Sequence, residues 1–225
     1  MERVQTDEAC APQVRYRWVF SYTVGGDLRF ISHHDTLRMF QRALVRAGIP
    51  LSYSQGFNPH QRITIPLPRP VGVASQAEAI IVETESPIDE HETLRTLDCH
   101  TPHGIRITAI RRLAQGERLH PDLVRYRMPL DESAPGDLES RVHRLLESDC
   151  VHVERDEPRG RRSRRVDIRP YIVEVSANCA TVDFVLRVTD AGTARPAEVA
   201  AQLGFNAGLV NHRITRVEVK WRRPH

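Results

Sequence analysis

The residue pattern predicts an α+β protein made of two tandem ferredoxin-like (βαββαβ) domains, antiparallel sheets with helices on one face. Three observations carry that expectation. Apolar residues alternate in short runs of period two, and amphipathic runs of helical period stand between them. The order strand–helix–strand–strand–helix–strand occurs in the first half, and strands with two helices in the same split βαβ arrangement recur in the second. A polar stretch carrying Gly116 and Pro121 separates the two copies. The organisation expected is a disordered tail over 1–14, a first domain over 15–114, a linker over 115–122 and a second domain over 123–225.

In the first copy, 15–23 alternates as a strand with Tyr16, Trp18, Phe20 and Tyr22 on one face. A helix follows. Ser32 is an N-cap and Asp35 completes an approximate capping box. Leu37, Phe40, Leu44 and Ala47 form its apolar stripe, and Gly48 and Pro50 end it. A second strand is expected over 62–67, running into Pro66, Pro68 and Pro70, which must form an edge or a loop because proline cannot donate to a ladder. Strands over 79–83 and 105–111 flank a short helix over 87–97. In the second copy, strands are expected over 123–130, 151–154, 169–176, 181–188 and 213–221. Its helices cover 137–148 and 196–203, the latter opened by Pro196.

Composition narrows the function class. The chain has 225 residues, 40% hydrophobic and 27% charged, with a formal net charge of +3, and Lys220 is its only lysine. No apolar run reaches the roughly 18 residues of a membrane span, and the first fourteen residues lack the apolar segment of a secretory signal. A cytoplasmic protein is expected. Cys10, Cys99, Cys150 and Cys179 are far apart, form no CxxC pair, and read as mostly buried thiols of a reducing compartment. They cannot supply a three-cysteine iron–sulfur motif. Cys99, His100 and His103 have ligand chemistry without a second cluster, so no metal or other cofactor is expected.

The functional signals are basic. Arg38, Arg42 and Arg46 recur every fourth residue and form a ridge opposite the apolar stripe. A solvated face is one reading; phosphate binding is the sharper one, because guanidinium groups grip phosphate oxygens bidentately. Arg159, Arg161, Arg162, Arg164 and Arg165 put five arginines into seven positions beside turn residues, as either a solvated loop or an RNA contact. Phe57, between Gly56 and Asn58-Pro59, is either a core plug, the first choice, or a stacking surface. Gly204 to Gly208 reads first as a helix stop and turn, and only second as a phosphate loop. His33 and His60 have the chemistry of a general acid or base but lie at opposite ends of the first helix in sequence.

Beyond these readings, the chain resembles the radical SAM-linked protein family of unknown function. The similarity runs through Gly25-Gly26, Arg29-Phe30, Ser32 to Asp35, Arg42 to Pro50 and Tyr53 to Pro59. It continues at Leu67-Pro68, Val71-Gly72 and Glu78, and in the second half at Val166 to Pro170. His34 and Val24 depart from the family pattern. The resemblance implies partnership with a radical SAM enzyme of the cobalamin-binding type that acts near RNA or translation.

The function expected is therefore a non-catalytic RNA-binding accessory module that partners a radical SAM RNA-modifying enzyme. Arg38, Arg42, Arg46 and the 159–165 loop would hold phosphates, and Phe57, Asn58, His60 and Arg62 would line a more specific pocket. Two alternatives stay open: a metal-independent endoribonuclease resembling the CRISPR repeat-processing enzymes and using His33 or His60, and a protein–protein adaptor for a radical SAM enzyme.

Overall fold

Residues 15–132, 134–156 and 163–222 are described by a computed structural model of the protein. The expected tail over 1–14, and Arg159, Arg161 and Arg162, lie outside the described residues. The first half comprises β1 (Tyr16–Val24), α1 (His33–Arg46), β2 (Ile63–Thr64), β3 (Ala74–Thr84), α2 (Glu90–Asp98) and β4 (Ile105–Arg112). The second comprises β5 (Pro121–Pro129), α3 (Leu138–Glu147), β6 (His152–Asp156), β7 (Ser163–Asp167), β8 (Ile172–Ala177), β9 (Thr181–Arg187), α4 (Pro196–Gln202) and β10 (Thr215–Trp221).

Among the described residues the architecture is mixed α+β, with four α-helices and one large, mostly antiparallel sheet. Seven strands follow the order β4-β1-β3-β10-β5-β9-β8, and β2 adds an eighth on the free edge of β3. The halves are joined by the parallel pairing of β3 with β10, Ala74 opposite Thr215 and Ser75 opposite Arg216. Strands β6 and β7 form a separate antiparallel ribbon.

Four elements differ from the sequence reading for identifiable reasons, one being the strand expected over 169–176, which starts only at Ile172 because Pro170 lies in a 3-10 turn over Arg169–Tyr171. The strand expected over 62–67 shrinks to Ile63–Thr64 because Pro66 and Pro68 cannot extend the ladder. Strand β3 begins at Ala74 rather than 79, since its polar first residues are held by pairing with β1 and β10 rather than by alternation. The charged loop expected after 154 becomes the far strand of a ribbon, β7, whose Val166 packs with Val153 against the second core.

Each half has its own core. The first gathers Phe20, Tyr22, Ile80 and Val82 of the sheet under Phe40 and Leu44 of α1 and Leu97 of α2. The second gathers Tyr126, Met128, Phe184 and Leu186 under Leu145 of α3 and Val199 and Leu203 of α4. Tyr22 packs edge-on to Phe40 at 4.7 Å between ring centroids and lies opposite Glu78 in the ladder. Glu78 and Tyr126 both bond Arg216, so the helix-covered faces of the two halves are one face. On the reverse face, Val19, Ala79 and Ile81 are capped by Leu113 and Leu119 of the inter-half segment. Farther along that face, Arg125 pairs with Glu174 and Glu218, and Arg127 with Asp183.

Arg216 is the polar centre of the seam. Its side chain and that of Glu78 are each 1% exposed, and Nη1 donates to Glu78 Oε1 at 2.8 Å. The guanidinium also donates to the Leu67 and Pro68 carbonyls, at 3.3 and 3.1 Å, and to the Tyr126 hydroxyl at 3.4 Å. Leu67-Pro68 has left the sheet, so these carbonyls have no strand partner, and Arg216 satisfies them. Nearby, burial and the Glu78 carboxylate push the Tyr22 phenol far above its usual range, which keeps it neutral.

Removing one member of this buried pair leaves the other uncompensated. Glu78→Ala or Arg216→Ala should cost about 3–5 kcal/mol in chemical denaturation. Arg127→Ala, which breaks an exposed pair on the reverse face, should leave the midpoint nearly unchanged.

Candidate nucleic-acid interface

Helix α1 is built as its sequence implies. The Asp35 amide donates to Ser32 Oγ at 3.1 Å, and Ser32 Oγ donates to the Asp35 carboxylate at 2.7 Å. Gly48 ends the helix at φ +68, a left-handed conformation that costs glycine nothing. Thr36, Phe40, Ala43 and Leu44 face the core. Arg38, Arg42 and Arg46 are exposed along the opposite side. Arg38 lies 3.8 Å from Asp35, a weak exposed pair. Arg42 and Arg46 have no carboxylate within 4.0 Å among the described residues.

These arginines separate two grooves. On one side, Arg38, Arg42 and Arg46 face Cys99, His100 and Thr101, which follow α2, across about 470 Å³. On the other, Arg42, Arg46 and Val45 face Tyr53, Pro59 and His60 across about 460 Å³. The 53–61 loop therefore folds back onto the last turns of α1, and Arg42 and Arg46 belong to both walls.

Backbone and side-chain bonds fix that loop. Tyr53 bridges Gln61, and the Ser54 amide donates to the His60 carbonyl at 2.8 Å. The His60 amide donates to Ser54 Oγ at 3.0 Å, while His60 Nδ1 lies 3.0 Å from the same oxygen and 3.3 Å from the Asn58 carbonyl. Arg62 Nε donates to the Tyr53 carbonyl at 3.2 Å, and its Nη1 lies 3.7 Å from Glu83, so Arg62 is committed to the loop and sheet. Asn58 is exposed. Phe57 is fully exposed, which overturns the core-plug reading of this ring. Gly56, at φ +138, makes the turn that lifts it clear of the fold.

Other expected residues lie elsewhere. His33 sits in the first turn of α1, about 20 Å by helix rise from the His60 end. Partial burial and neighbouring His34, 5.7 Å away between ring centroids, hold its imidazole below the usual histidine range. Arg164 and Arg165 are exposed on β7, opposite Arg155 and Glu154. They line neither groove, since both grooves draw only on residues between Asp35 and Pro102. Arg155 anchors the ribbon, bonding both oxygens of Glu198 at the start of α4. Gly204 adopts φ +94 after α4 and Phe205 turns into the core, a helix stop as first read. Cys99, Cys150 and Cys179 are exposed, contrary to the expectation of buried thiols.

A family model described as an uncharacterized protein conserved in bacteria (DUF2344) matches residues 15–196. The chain belongs to this family. No curated protein matches it. Among solved structures, that of an unknown protein from Galdieria sulphuraria is similar at 14% identity, over 85% of this chain and 91% of that one, with a TM-score of 0.28. A likeness that low carries no structural argument.

The DUF2344 match takes in both groups of motif residues noted in the sequence, and the fold gives many of them structural work. Gly72, at φ +91, sits against Asn211, where an added Cβ would come within 3.1 Å of the Asn211 Cβ. Arg29 reaches across the seam to the His212 carbonyl at 2.7 Å. Glu78, Leu67 and Pro68 hold Arg216. In the second half, Asp167 Oδ1 accepts from the Val151 and Arg169 amides at 2.8 and 3.0 Å. Ile168 is fully buried, and Arg169 donates to the Leu146 and Ser148 carbonyls at the end of α3. Side chains of the motif left exposed include Arg42, Arg46, Tyr53 and Phe57 around the α1–loop groove, and Phe30 and Val71 outside its lining. Tyr53 and Val45 were not among the expected site residues; their signal was their nearness to the arginine ridge, which appears only when the loop folds back.

The backbone bonds from Val151 and Arg169 hold the Asp167 carboxyl below the usual carboxylate range. With its folded value depressed, the stabilisation is complete above the ordinary carboxylate pKa and is lost as pH falls through the folded value. Asp167→Ala should therefore be less stable than wild type at neutral pH, with the gap in denaturation midpoint narrowing in acid.

Proposed function

We propose that this DUF2344 protein is a non-catalytic RNA-binding module that partners a radical SAM RNA-modifying enzyme, and that its halves are two ferredoxin-like units fused through β3 and β10. Two strand orders support the architectural part. Each half runs fourth, first, third, second: β4-β1-β3-β2 and β10-β5-β9-β8. This is the order expected of a split βαβ unit, with the β6–β7 ribbon as an insertion.

The observation that carries the RNA reading is the pair Arg42 and Arg46, exposed, without carboxylates in reach and shared by two grooves. A cation held free of counter-charge in folding is available to a phosphate. Arg164 and Arg165 would give a second, separate contact from the ribbon. The radical SAM partnership is supported by the motif resemblance. Three exposed free thiols favour a reducing, cytoplasmic setting. Among the described residues no helix is long and apolar enough to cross a membrane. A nuclease would rest on His60 in the α1–loop groove, with His33 at the far end of the helix.

Binding of RNA by the full chain should weaken steeply with salt. Replacing Arg42 and Arg46 together with Ala should lower affinity at low salt and reduce the slope of log K against log salt by about 1–2. Loss of affinity with an unchanged slope, or no RNA binding by wild type, would contradict the phosphate role. RNA left intact after long incubation is expected, and cleavage abolished by His60→Ala would favour the nuclease instead. Affinity isolation from native cells should recover a radical SAM enzyme. Recovery that survives ribonuclease treatment while wild type binds no RNA would point to the adaptor.

A further inference from the structure

The 53–61 loop has a property that folding does not explain and phosphate binding does not need. It holds Phe57 fully in water, although burying such a ring would contribute roughly 1.5–3 kcal/mol. The loop is not slack. The Ser54–His60 bonds, the Tyr53–Gln61 bridge and the Arg62 bond to the Tyr53 carbonyl close it at its base. The ring thus stands at the tip of a loop closed at its base.

The groove at the base of the same loop, lined by Tyr53, Pro59 and His60, combines two chemistries. Tyr53 and Val45 are exposed apolar surface, and Arg42 and Arg46 are the cations facing them. A flat aromatic surface beside free guanidinium groups complements a nucleotide, whose base is flat and whose phosphate is anionic. A duplex hides its base faces in the stack, whereas an unpaired strand offers them. At about 460 Å³, the groove falls within the size range of small-molecule sites.

We infer that Tyr53 and Phe57 form a stacking platform for unpaired bases, so that the RNA taken is single-stranded, with its phosphates on Arg42 and Arg46. This rests on the RNA-binding reading given above and goes further by naming the strand state and the base contacts. Phe57 supplies an outer face at the loop tip, Tyr53 an inner one in the groove. Stacking is tolerant of base identity, so the platform selects strand state rather than sequence.

The test is fluorescence anisotropy of the full chain with an unstructured oligoribonucleotide and with an RNA duplex of the same length. Wild type should prefer the single strand. Phe57→Ala and Tyr53→Ala should each weaken single-strand binding about tenfold, leave the salt slope unchanged and leave duplex binding as it was. Phe57→Trp should keep wild-type affinity, and none of the Phe57 variants should shift the thermal melt, because the ring packs on nothing. Alanine variants that bind the single strand like wild type, while the Arg42/Arg46 double variant fails, would overturn the platform and leave the phosphate role standing. A Phe57→Trp variant as weak as Phe57→Ala would also overturn it. If wild type binds neither RNA at low salt, the platform and the RNA-binding reading fall together.

Discussion

The Arg216–Glu78 pair is the constraint on which the two halves depend, because it sits where they become one sheet. Only two register pairs join β3 to β10, a short parallel contact. Such a contact is weak alone, and the segment after β2 leaves carbonyls without partners at the same place. One guanidinium answers both needs, reaching Glu78 on one strand, Tyr126 on another, and the Leu67 and Pro68 carbonyls. Arg69 does similar work a few residues on, donating to the Leu28, Arg29, Pro70 and Val73 carbonyls. Arginine suits both positions because five rigidly forked donors can satisfy several carbonyls at once. A buried ion pair adds little net stability over apolar packing, but breaking it is costly, so it fixes how the halves meet.

That framework separates arginines that build from arginines left over. Arg29, Arg69, Arg155, Arg169 and Arg216 all spend their donors on carbonyls or buried carboxylates. Arg111, Arg125 and Arg127 are neutralised on the reverse face. Arg42 and Arg46 are not, and they stand together. The bias toward arginine is therefore not one signal. Much of it is structural, and among the described residues the exposed arginines without a carboxylate partner are spread over several elements, among them Arg95, Arg106, Arg118 and Arg187.

Much of this was legible in the sequence. The capping box at Ser32, the stripe through Phe40 and Leu44 and the stop at Gly48 placed α1, and helix periodicity then placed the arginine ridge in solvent. Strand alternation found most of the sheet. The prolines read as an edge or loop, but the strand expected to run to 67 stops at Thr64. What alternation could not show was the pairing across the halves: residues 74–78 carry no apolar rhythm, and the partner of Glu78 lies at Arg216, 138 positions away. The buried role of Arg216 has no local signature, since an arginine in a strand reads as a solvent-facing residue. Phe57 failed for the opposite reason. A phenylalanine beside turn residues reads first as a plug, and only the folded loop, closed at Ser54–His60, shows the ring turned outward.

The net charge of +3 is too small to make the whole molecule a polyanion trap, so on the proposed RNA-binding reading attraction would have to be local. With a Debye length of about 8 Å at physiological ionic strength, only cations close to a phosphate contribute much. Two arginines on adjacent turns of α1 satisfy that condition, because residues four apart lie roughly 6 Å apart on a helix surface. Two phosphate contacts alone would bind weakly and indiscriminately. On the proposed reading, an aromatic face would add what charge cannot, a short-range contact that depends on base exposure and little on salt. The same reading would give the closed loop base a use: phosphate contacts tolerate long flexible side chains, whereas stacking favours a ring whose loop is already anchored.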